Sequence, residues 1–159
     1  MPGVLVAGIG NIFLGDDAFG VEVAKRLSAV QVPPEVSVRD FGIRGIHLAY
    51  ELLEGNYRTT ILVDAVPRGG KPGTVYLIEP EAGGSTNVTA DAHSMTPDAV
   101  LAMLRALGGE SGRILIVGCE PASVEEGIGL SEPVQAAVGE AVKLIHELIA
   151  REDVPASNC

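Results

Sequence analysis

The sequence is poor in aromatic residues and in cysteine. Its 159 residues include no tryptophan, three tyrosines and three phenylalanines. The two cysteines, Cys119 and Cys159, are too few for a disulfide framework, which excludes a small disulfide-stapled scaffold. Cys119 ends the apolar run ILIVG, so we expect a small buried side chain there and not a reactive thiol.

The sequence also has few basic residues and no long apolar run. Eleven lysines and arginines stand against 21 acids, giving a net charge of −10 and a pI near 4.6. Phosphate backbones and anionic membranes would be repelled, so nucleic acid and membrane partners are not expected. No apolar run approaches the roughly 20 residues of a membrane span, and the first residues do not resemble a signal peptide. We therefore expect a cytoplasmic protein.

What is present predicts one α/β domain. Hydrophobic residues make up 47% of the chain and the mean hydropathy is +0.30, as in a compact globular protein. The patterns alternate between strand and helix in the order β-α-β-α-β-β-α-β-α. This order predicts an open, twisted, mainly parallel five-stranded sheet with helices on both faces. We assign residues 1–150 to the domain and 151–159 to a polar C-terminal tail.

Hydrophobic periodicity places the elements. Strands are predicted near residues 4–7, 35–41, 59–66, 74–79 and 113–119, the second at the sheet edge and the third at its centre. The connection between the third and fourth strands is too short for a helical crossover, so we expect that pair to be antiparallel. In the second helix, the spacing of Ile46, Ala49, Tyr50 and Leu53 predicts the face that packs on the sheet.

Acidic residues at strand ends are the candidates for chemistry. In open α/β sheets, ligands bind beyond the carboxyl ends of the strands. Asp64 is the most informative, because an acid inside the apolar run ILVDAV needs a partner, a cation or a proton. The alternative is a carboxylate that caps a backbone turn. The polar residues expected at this edge are Asp16, Asp17, Asp40, Asp64, His93 and Glu120.

Two carboxylates and one imidazole at one edge of the sheet would offer a metal two oxygen donors and one nitrogen donor. Such a set suits a divalent transition metal with open coordination positions. Each residue taken alone also has a simpler explanation. Asp16 or Asp17 could cap the first helix, and His93 could be an ordinary histidine of a surface loop. The loop GIGNIF begins like a dinucleotide fingerprint, but Phe13 stands where the third glycine is needed, so no nucleotide cofactor is expected.

Several motifs together resemble those of the hydrogenase maturation proteases. The resemblance extends over nearly the whole chain, in order and at matching spacing, which makes it more specific than any single motif. The matching segments are Gly8-Ile9-Gly10-Asn11, Gly15-Asp16-Asp17-Ala18-Phe19-Gly20, Asp40-Phe41-Gly42-Ile43-Arg44-Gly45, Val63-Asp64-Ala65, Ala92-His93, Gly118-Cys119-Glu120-Pro121 and Gly127-Ile128-Gly129-Leu130-Ser131.

The resemblance implies a function. Members of this family are endopeptidases that remove a C-terminal extension from the large-subunit precursor of nickel–iron hydrogenases once nickel has been inserted. The family's metal-contacting positions fall on Asp17, Asp64 and His93, and Asp40 matches a position implicated in recognition or catalysis. The implied catalytic set is therefore these four residues. The implied metal is nickel carried by the substrate, although another divalent metal could occupy the site.

The sequence departs from the family pattern at two points. The first-loop ligand is often glutamate and is here Asp17. In the turn after the second strand, Phe41 and Ile43 replace a glycine and a threonine that are usual in the family. This difference concerns which hydrogenase is the substrate. Two alternative functions stay open: a non-catalytic nickel-sensing assembly factor, and a different metal-dependent hydrolase on the same scaffold. We expect the protein to act as a monomer on the large-subunit precursor.

Overall fold

The sheet has the five strands that the sequence predicts. A computed structural model of the chain describes residues 3–55, 57–80, 97–108 and 112–152. The described strands are β1 (Val4–Ile9), β2 (Val36–Gly42), β3 (Thr59–Ala65), β4 (Val75–Ile78) and β5 (Arg113–Cys119). β3 and β5 are β-branched, apolar and buried almost throughout, as expected of central strands covered on both faces.

Four helices are described, together with one 3₁₀ turn at residues Gly15–Ala18 that joins β1 to the first helix. The helices are α1 (Phe19–Ser28), α2 (Gly45–Gly55), α3 (Pro97–Ala106) and α4 (Glu132–Glu152). Among these described helices, none is both long enough and apolar enough to cross a membrane. α4 continues two residues past the predicted domain boundary at residue 150; residues 153–159 lie outside the described part of the chain, and the division into domain and tail stays a prediction.

The strand order is β2-β1-β3-β5-β4. β1 pairs in parallel with β2 and β3, and β3 pairs in parallel with β5, so the sheet is mainly parallel with β2 at one edge. The expected antiparallel pairing of the third and fourth strands is wrong, because β5 lies between them and β4 pairs antiparallel with β5. The short connection fixes the reversal of direction but not which strand becomes the neighbour.

Helices cover both faces of the sheet. One apolar core lies between the sheet and the pair α1 and α4, and the other lies between the sheet and the pair α2 and α3. All members of the apolar stripe of α4 are buried. They are Val134, Ala137, Val138, Ala141, Ile145 and Leu148.

The predicted packing face of α2 is wrong. Ile46, Tyr50 and Leu53 are between 38% and 51% exposed, and of the predicted stripe Ala49 is buried. α2 instead buries the face that contains Leu48 and Leu52. Both faces follow the same three-and-four spacing, so periodicity could not decide between them.

Candidate active site

The candidate residues lie at the carboxyl edge of the sheet, where β1, β2 and β3 end. Gly8 of β1 is in register with Asp40 of β2 on one side and with Val63 of β3 on the other. Neighbouring strands are about 4.8 Å apart, so Asp40 and Val63 lie roughly 10 Å apart across β1. The candidate site lies next to these three residues, at the carboxyl ends of β1, β2 and β3.

Asp17 lies in the 3₁₀ turn that follows the carboxyl end of β1. Its Oδ2 accepts a hydrogen bond of 2.8 Å from the Asn11 N–H. Burial raises the pKa of Asp17 above its ordinary value of 3.8, although the bond from Asn11 opposes the shift. Its side chain is half-buried, so the carboxylate is held by Asn11 and is still partly accessible to solvent.

Gly10 explains how the chain brings Asp17 close to β3. Its φ of +143° is one that side chains rarely allow, and a Cβ there would overlap the Asp17 carbonyl oxygen. That same Cβ would lie 3.7 Å from Asp64 Oδ1. The backbone of Gly10 therefore fills the narrow space where Asp17 and Asp64 approach each other, which only glycine permits.

Asp64 is buried near the end of β3, as the sequence predicts. It is 4% exposed, and its Oδ1 accepts a hydrogen bond of 2.8 Å from the Ala65 N–H. Burial raises the pKa of Asp64 well above 3.8, and the negative charge of Asp17 raises it further. Along β3, Leu62 packs on the α2 and α3 side and Val63 on the other side, so alternation directs Asp64 toward the α2 and α3 side.

Asp17 and Asp64 both approach Gly10, and they are near enough for the negative charge of Asp17 to raise the pKa of Asp64. We call these two residues the carboxylate pair. Both groups have raised pKa values, and each is harder to ionise because of its surroundings. A divalent cation at this point would relieve the repulsion and replace the lost hydration. Within residues 3–55, 57–80, 97–108 and 112–152, no cluster of three metal-binding side chains is present.

His93, the predicted third ligand, lies outside the described residues. Pro97, four residues further on, begins α3. α3 leads toward the start of β5 at the opposite edge of the sheet, so its N-terminal end is directed toward the carboxyl edge.

Asp16 has a structural role that the sequence did not reveal. Its buried carboxylate accepts hydrogen bonds from the N–H groups of Ala122, Ser123 and Ser131 and from the Ser131 hydroxyl, at 2.7–3.2 Å. Burial raises the pKa of Asp16, but these bonds outweigh it and hold the pKa below 3.8. Asp16 thus ties the first loop to the segment after β5, whereas the predicted cap of α1 is not formed by a side chain.

Asp40 lies at the same edge but apart from the pair. It is exposed, and its Oδ1 accepts a hydrogen bond of 2.8 Å from the Gly42 N–H. Val38 packs toward α1 and Phe41 toward α2, so alternation directs Asp40 toward the α1 side, opposite to Asp64. A hydrogen bond of 2.9 Å from the Gly10 N–H to the Gly42 carbonyl joins the two loops.

Two residues that depart from the family pattern in the second turn have different surroundings. Phe41 is buried in the core under α2, with the Arg39 guanidinium 5.0 Å from its ring centre. Ile43 is 58% exposed. Arg44 donates to the carbonyl oxygens of Asp40 and Phe41 at 2.7 and 3.1 Å, so it holds the shape of this turn.

Glu120, a candidate at the end of β5, organises a loop instead of facing the pair. Its Oε1 accepts hydrogen bonds from the N–H groups of Arg68 and Gly70 and from the Tyr76 hydroxyl, at 2.7–3.0 Å. The bond from Tyr76 has the largest effect, and together these bonds hold the pKa of Glu120 below its ordinary value of 4.5. The carboxylate therefore stabilises the connection between β3 and β4.

Cys119 is buried, as predicted. Its side chain is 0% exposed within the apolar core. Burial, together with the negative charges of Asp16, Glu140 and Glu120, raises the pKa of the Cys119 thiol to about 12. Such a thiol is neither ionised nor accessible at neutral pH, so Cys119 is not a nucleophile.

Comparison with known proteins confirms the resemblance. The family model of hydrogenase maturation proteases matches residues 21–148. The hydrogenase 2 maturation protease of Escherichia coli is 30% identical over 157 residues, which cover 96% of this chain and 94% of that protein.

Solved structures agree with this match. The hydrogenase 2 maturation peptidase of Thaumarchaeota archaeon SCGC_AB-539-E09 is 31% identical with a TM-score of 0.73, covering 93% of this chain and 98% of that one. The hydrogenase maturating endopeptidase HybD of E. coli has a TM-score of 0.76 at 27% identity, covering 99% of each chain. The chain belongs to the hydrogenase maturation protease family. It is accordingly a peptide hydrolase, a hydrogenase maturation endopeptidase.

Proposed function

We propose that this enzyme removes the C-terminal extension from the nickel-loaded large-subunit precursor of a nickel–iron hydrogenase. The relatives are named as maturation proteases of hydrogenases, which supports this class of substrate. The nickel is part of the substrate and is not a resident cofactor of the enzyme. Asp17, Asp64 and His93 contact it.

The observation that supports this proposal most strongly is the pairing of Asp17 with the buried Asp64. A buried carboxylate that faces another carboxylate raises the free energy of the folded state, and a structural role alone does not require that arrangement. A divalent cation supplied by the substrate would stabilise both groups at once. Selection for nickel-filled precursors then follows, because the pair is satisfied only when the metal is present.

The donor atoms of these residues fit a nickel ion that is also bound by ligands of the large-subunit precursor. Carboxylate oxygens and an imidazole nitrogen suit a divalent transition metal, and two or three donors leave positions for ligands from the precursor. A bound divalent metal can polarise a peptide carbonyl or lower the pKa of a water molecule. The carboxylates of Asp17 and Asp64 would orient the metal, and Asp17 is the one closer to solvent.

Asp40 is proposed as a recognition residue or general base at the edge of the same site. Its carboxylate is exposed and is fixed by the Gly42 N–H. A base must reach the attacking water within hydrogen-bond distance. Asp40 is on the other side of the sheet from Asp64, which favours a role toward the incoming peptide over direct contact with the metal.

The proposal also has the enzyme acting in the cytoplasm and as a monomer. Size-exclusion chromatography with light scattering tests the monomer.

The direct test is intact-mass analysis of the precursor after incubation with the enzyme. We expect loss of a C-terminal peptide from the nickel-loaded precursor and an unchanged mass for the nickel-free precursor. Cleavage of both forms would retain the protease and reject selection by nickel. A stable complex without any mass change, with a competent cognate precursor, would favour the nickel-sensing alternative.

A further inference from the structure

Phe13 is an aromatic side chain held on the outside of the molecule. It is 59% exposed, whereas the other two phenylalanines, Phe19 and Phe41, are 0% and 3% exposed. A chain with so few aromatic residues gains most by burying them. Phenylalanine is one of the residue types enriched in protein interfaces.

Three more exposed apolar side chains lie on the loop that carries Phe13 and on the segment paired with it. Ile12 from the first loop is 45% exposed, and Val124 and Ile128 from the segment after β5 are 48% and 85% exposed. We call these four residues the apolar rim: Ile12, Phe13, Val124 and Ile128. Exposed apolar side chains that are gathered on a surface indicate a site of interaction.

The two loops of the apolar rim are joined to each other by the backbone. The Gly15 N–H donates to the Gly127 carbonyl at 2.9 Å, and the Gly127 N–H donates to the Phe13 carbonyl at 2.8 Å. The Asp16 carboxylate adds its bonds to Ala122, Ser123 and Ser131. The rim is therefore a preformed surface, which lowers the entropy lost on binding.

Hydrogen bonds connect the first loop of the apolar rim to Asp17. The Phe13 N–H donates to Asn11 Oδ1 at 2.8 Å, and the Asn11 N–H donates to Asp17 Oδ2 at 2.8 Å. Two successive hydrogen bonds therefore connect the backbone of Phe13 to the Asp17 carboxylate, which we propose contacts the metal. A protein that presents its metal to Asp17 must lay adjoining parts of its chain against this loop.

We propose that the apolar rim is the docking surface for the precursor segment around the scissile bond. This inference rests on the proposed function, because the occupant is the same large-subunit precursor. The exposed acids Glu125 and Glu126 lie in the rim loop between Val124 and Ile128. They favour an apolar segment that also carries lysine or arginine.

The test measures cleavage rate against the concentration of nickel-loaded precursor for the variant Phe13→Ser/Ile128→Ser. We expect the half-saturating concentration to rise about tenfold or more, with the maximal rate within about twofold of the original, since removed contacts of this kind weaken binding. The matched control is Val30→Ser/Leu77→Ser, which changes two side chains that are 43% and 46% exposed elsewhere. The control should behave like the unchanged enzyme.

An unchanged half-saturating concentration for the rim variant, or an equal rise for the control, overturns the docking surface. Hydrogen exchange on the unchanged enzyme gives a second readout that does not depend on the variant folding. Precursor binding should protect amides of residues 11–15 and 123–129, and absence of protection there also overturns the inference. Protection without cleavage would retain the docking surface and reject the proposed function, so the two failures are distinguishable.

Discussion

Two neighbouring aspartates, Asp16 and Asp17, show how local surroundings decide the role of a residue. The carboxylate of Asp16 is fully engaged by donors, and its pKa is lowered. The carboxylate of Asp17 accepts a backbone hydrogen bond from Asn11, and burial raises its pKa. Asp16 therefore stabilises the fold, whereas Asp17 is the residue that we propose contacts the metal.

At this scale, the variant Asp64→Asn should stabilise the protein. Because the pKa of Asp64 is higher in the folded chain than in the unfolded chain, ionisation at neutral pH lowers the stability of the wild type. We expect the variant to gain about 1–3 kcal/mol in the free energy of unfolding at pH 7. The gain should disappear as the pH falls below about 4, where Asp64 is protonated in both states. Urea unfolding across this pH range measures it.

Glu147→Gln on the exposed side of α4 is the control for that measurement, and its stability should change by less than about 0.5 kcal/mol. A loss of stability in Asp64→Asn at pH 7 would contradict the account. It would favour the alternative in which the carboxylate serves mainly to cap the Ala65 N–H.

Cys119 gives a second prediction for a single residue. Native enzyme treated with iodoacetamide at pH 8 should remain unmodified at Cys119 and keep its activity, because the thiol is buried and its pKa is raised to about 12. Peptide mapping by mass spectrometry locates the label. Rapid labelling of Cys119 with loss of cleavage would reopen the case for a thiol nucleophile.

At the scale of secondary-structure elements, Asp16 joins the loop after β1 to the loop after β5. Replacing it with asparagine removes a charged acceptor and places an amide against backbone N–H groups. We expect Asp16→Asn to cost about 2–4 kcal/mol in the free energy of unfolding. Because Asp16 is stabilised in its ionised form, the cost should be full at neutral pH and fade as the pH falls below 3.8 through its lowered pKa.

A double-mutant cycle with Ser131→Ala tests whether this stabilisation passes through the observed contact. The Ser131 hydroxyl donates to Asp16 at 2.8 Å. The loss in the double variant should be smaller than the sum of the two single losses, by about 1 kcal/mol. Strict additivity in urea unfolding would show that Asp16 acts through other contacts.

Sequence patterns predicted the elements better than their pairing. α4 buries one apolar face, whereas α2 has two overlapping apolar faces and periodicity could not choose between them. The placement of Asp17, Asp40 and Asp64 at one edge was predictable because strand ends in an open sheet meet there. The bonds of Asp16 join residues 106 to 115 positions apart, and no local pattern signals such contacts.

At the scale of the whole molecule, the acidic chain places its paired carboxylates, its exposed Asp40 and its apolar rim around one edge of the sheet. The opposite edge, where β5 begins and α3 ends, carries none of the proposed site residues within the described part of the chain. Substrate should therefore approach from one side only. The family match over most of the chain agrees with one domain that performs one reaction.

Asp17, Asp64 and His93 are the residues that we propose contact nickel in the substrate. The most direct measurement is intact-mass analysis of nickel-loaded precursor treated with Asp17→Ala or His93→Ala, beside Glu147→Gln. We expect each site variant to lose at least about 100-fold in cleavage rate, as when a metal contact is removed, and the control to cleave normally. Nickel-dependent cleavage at the normal rate by both site variants would contradict the metal contact.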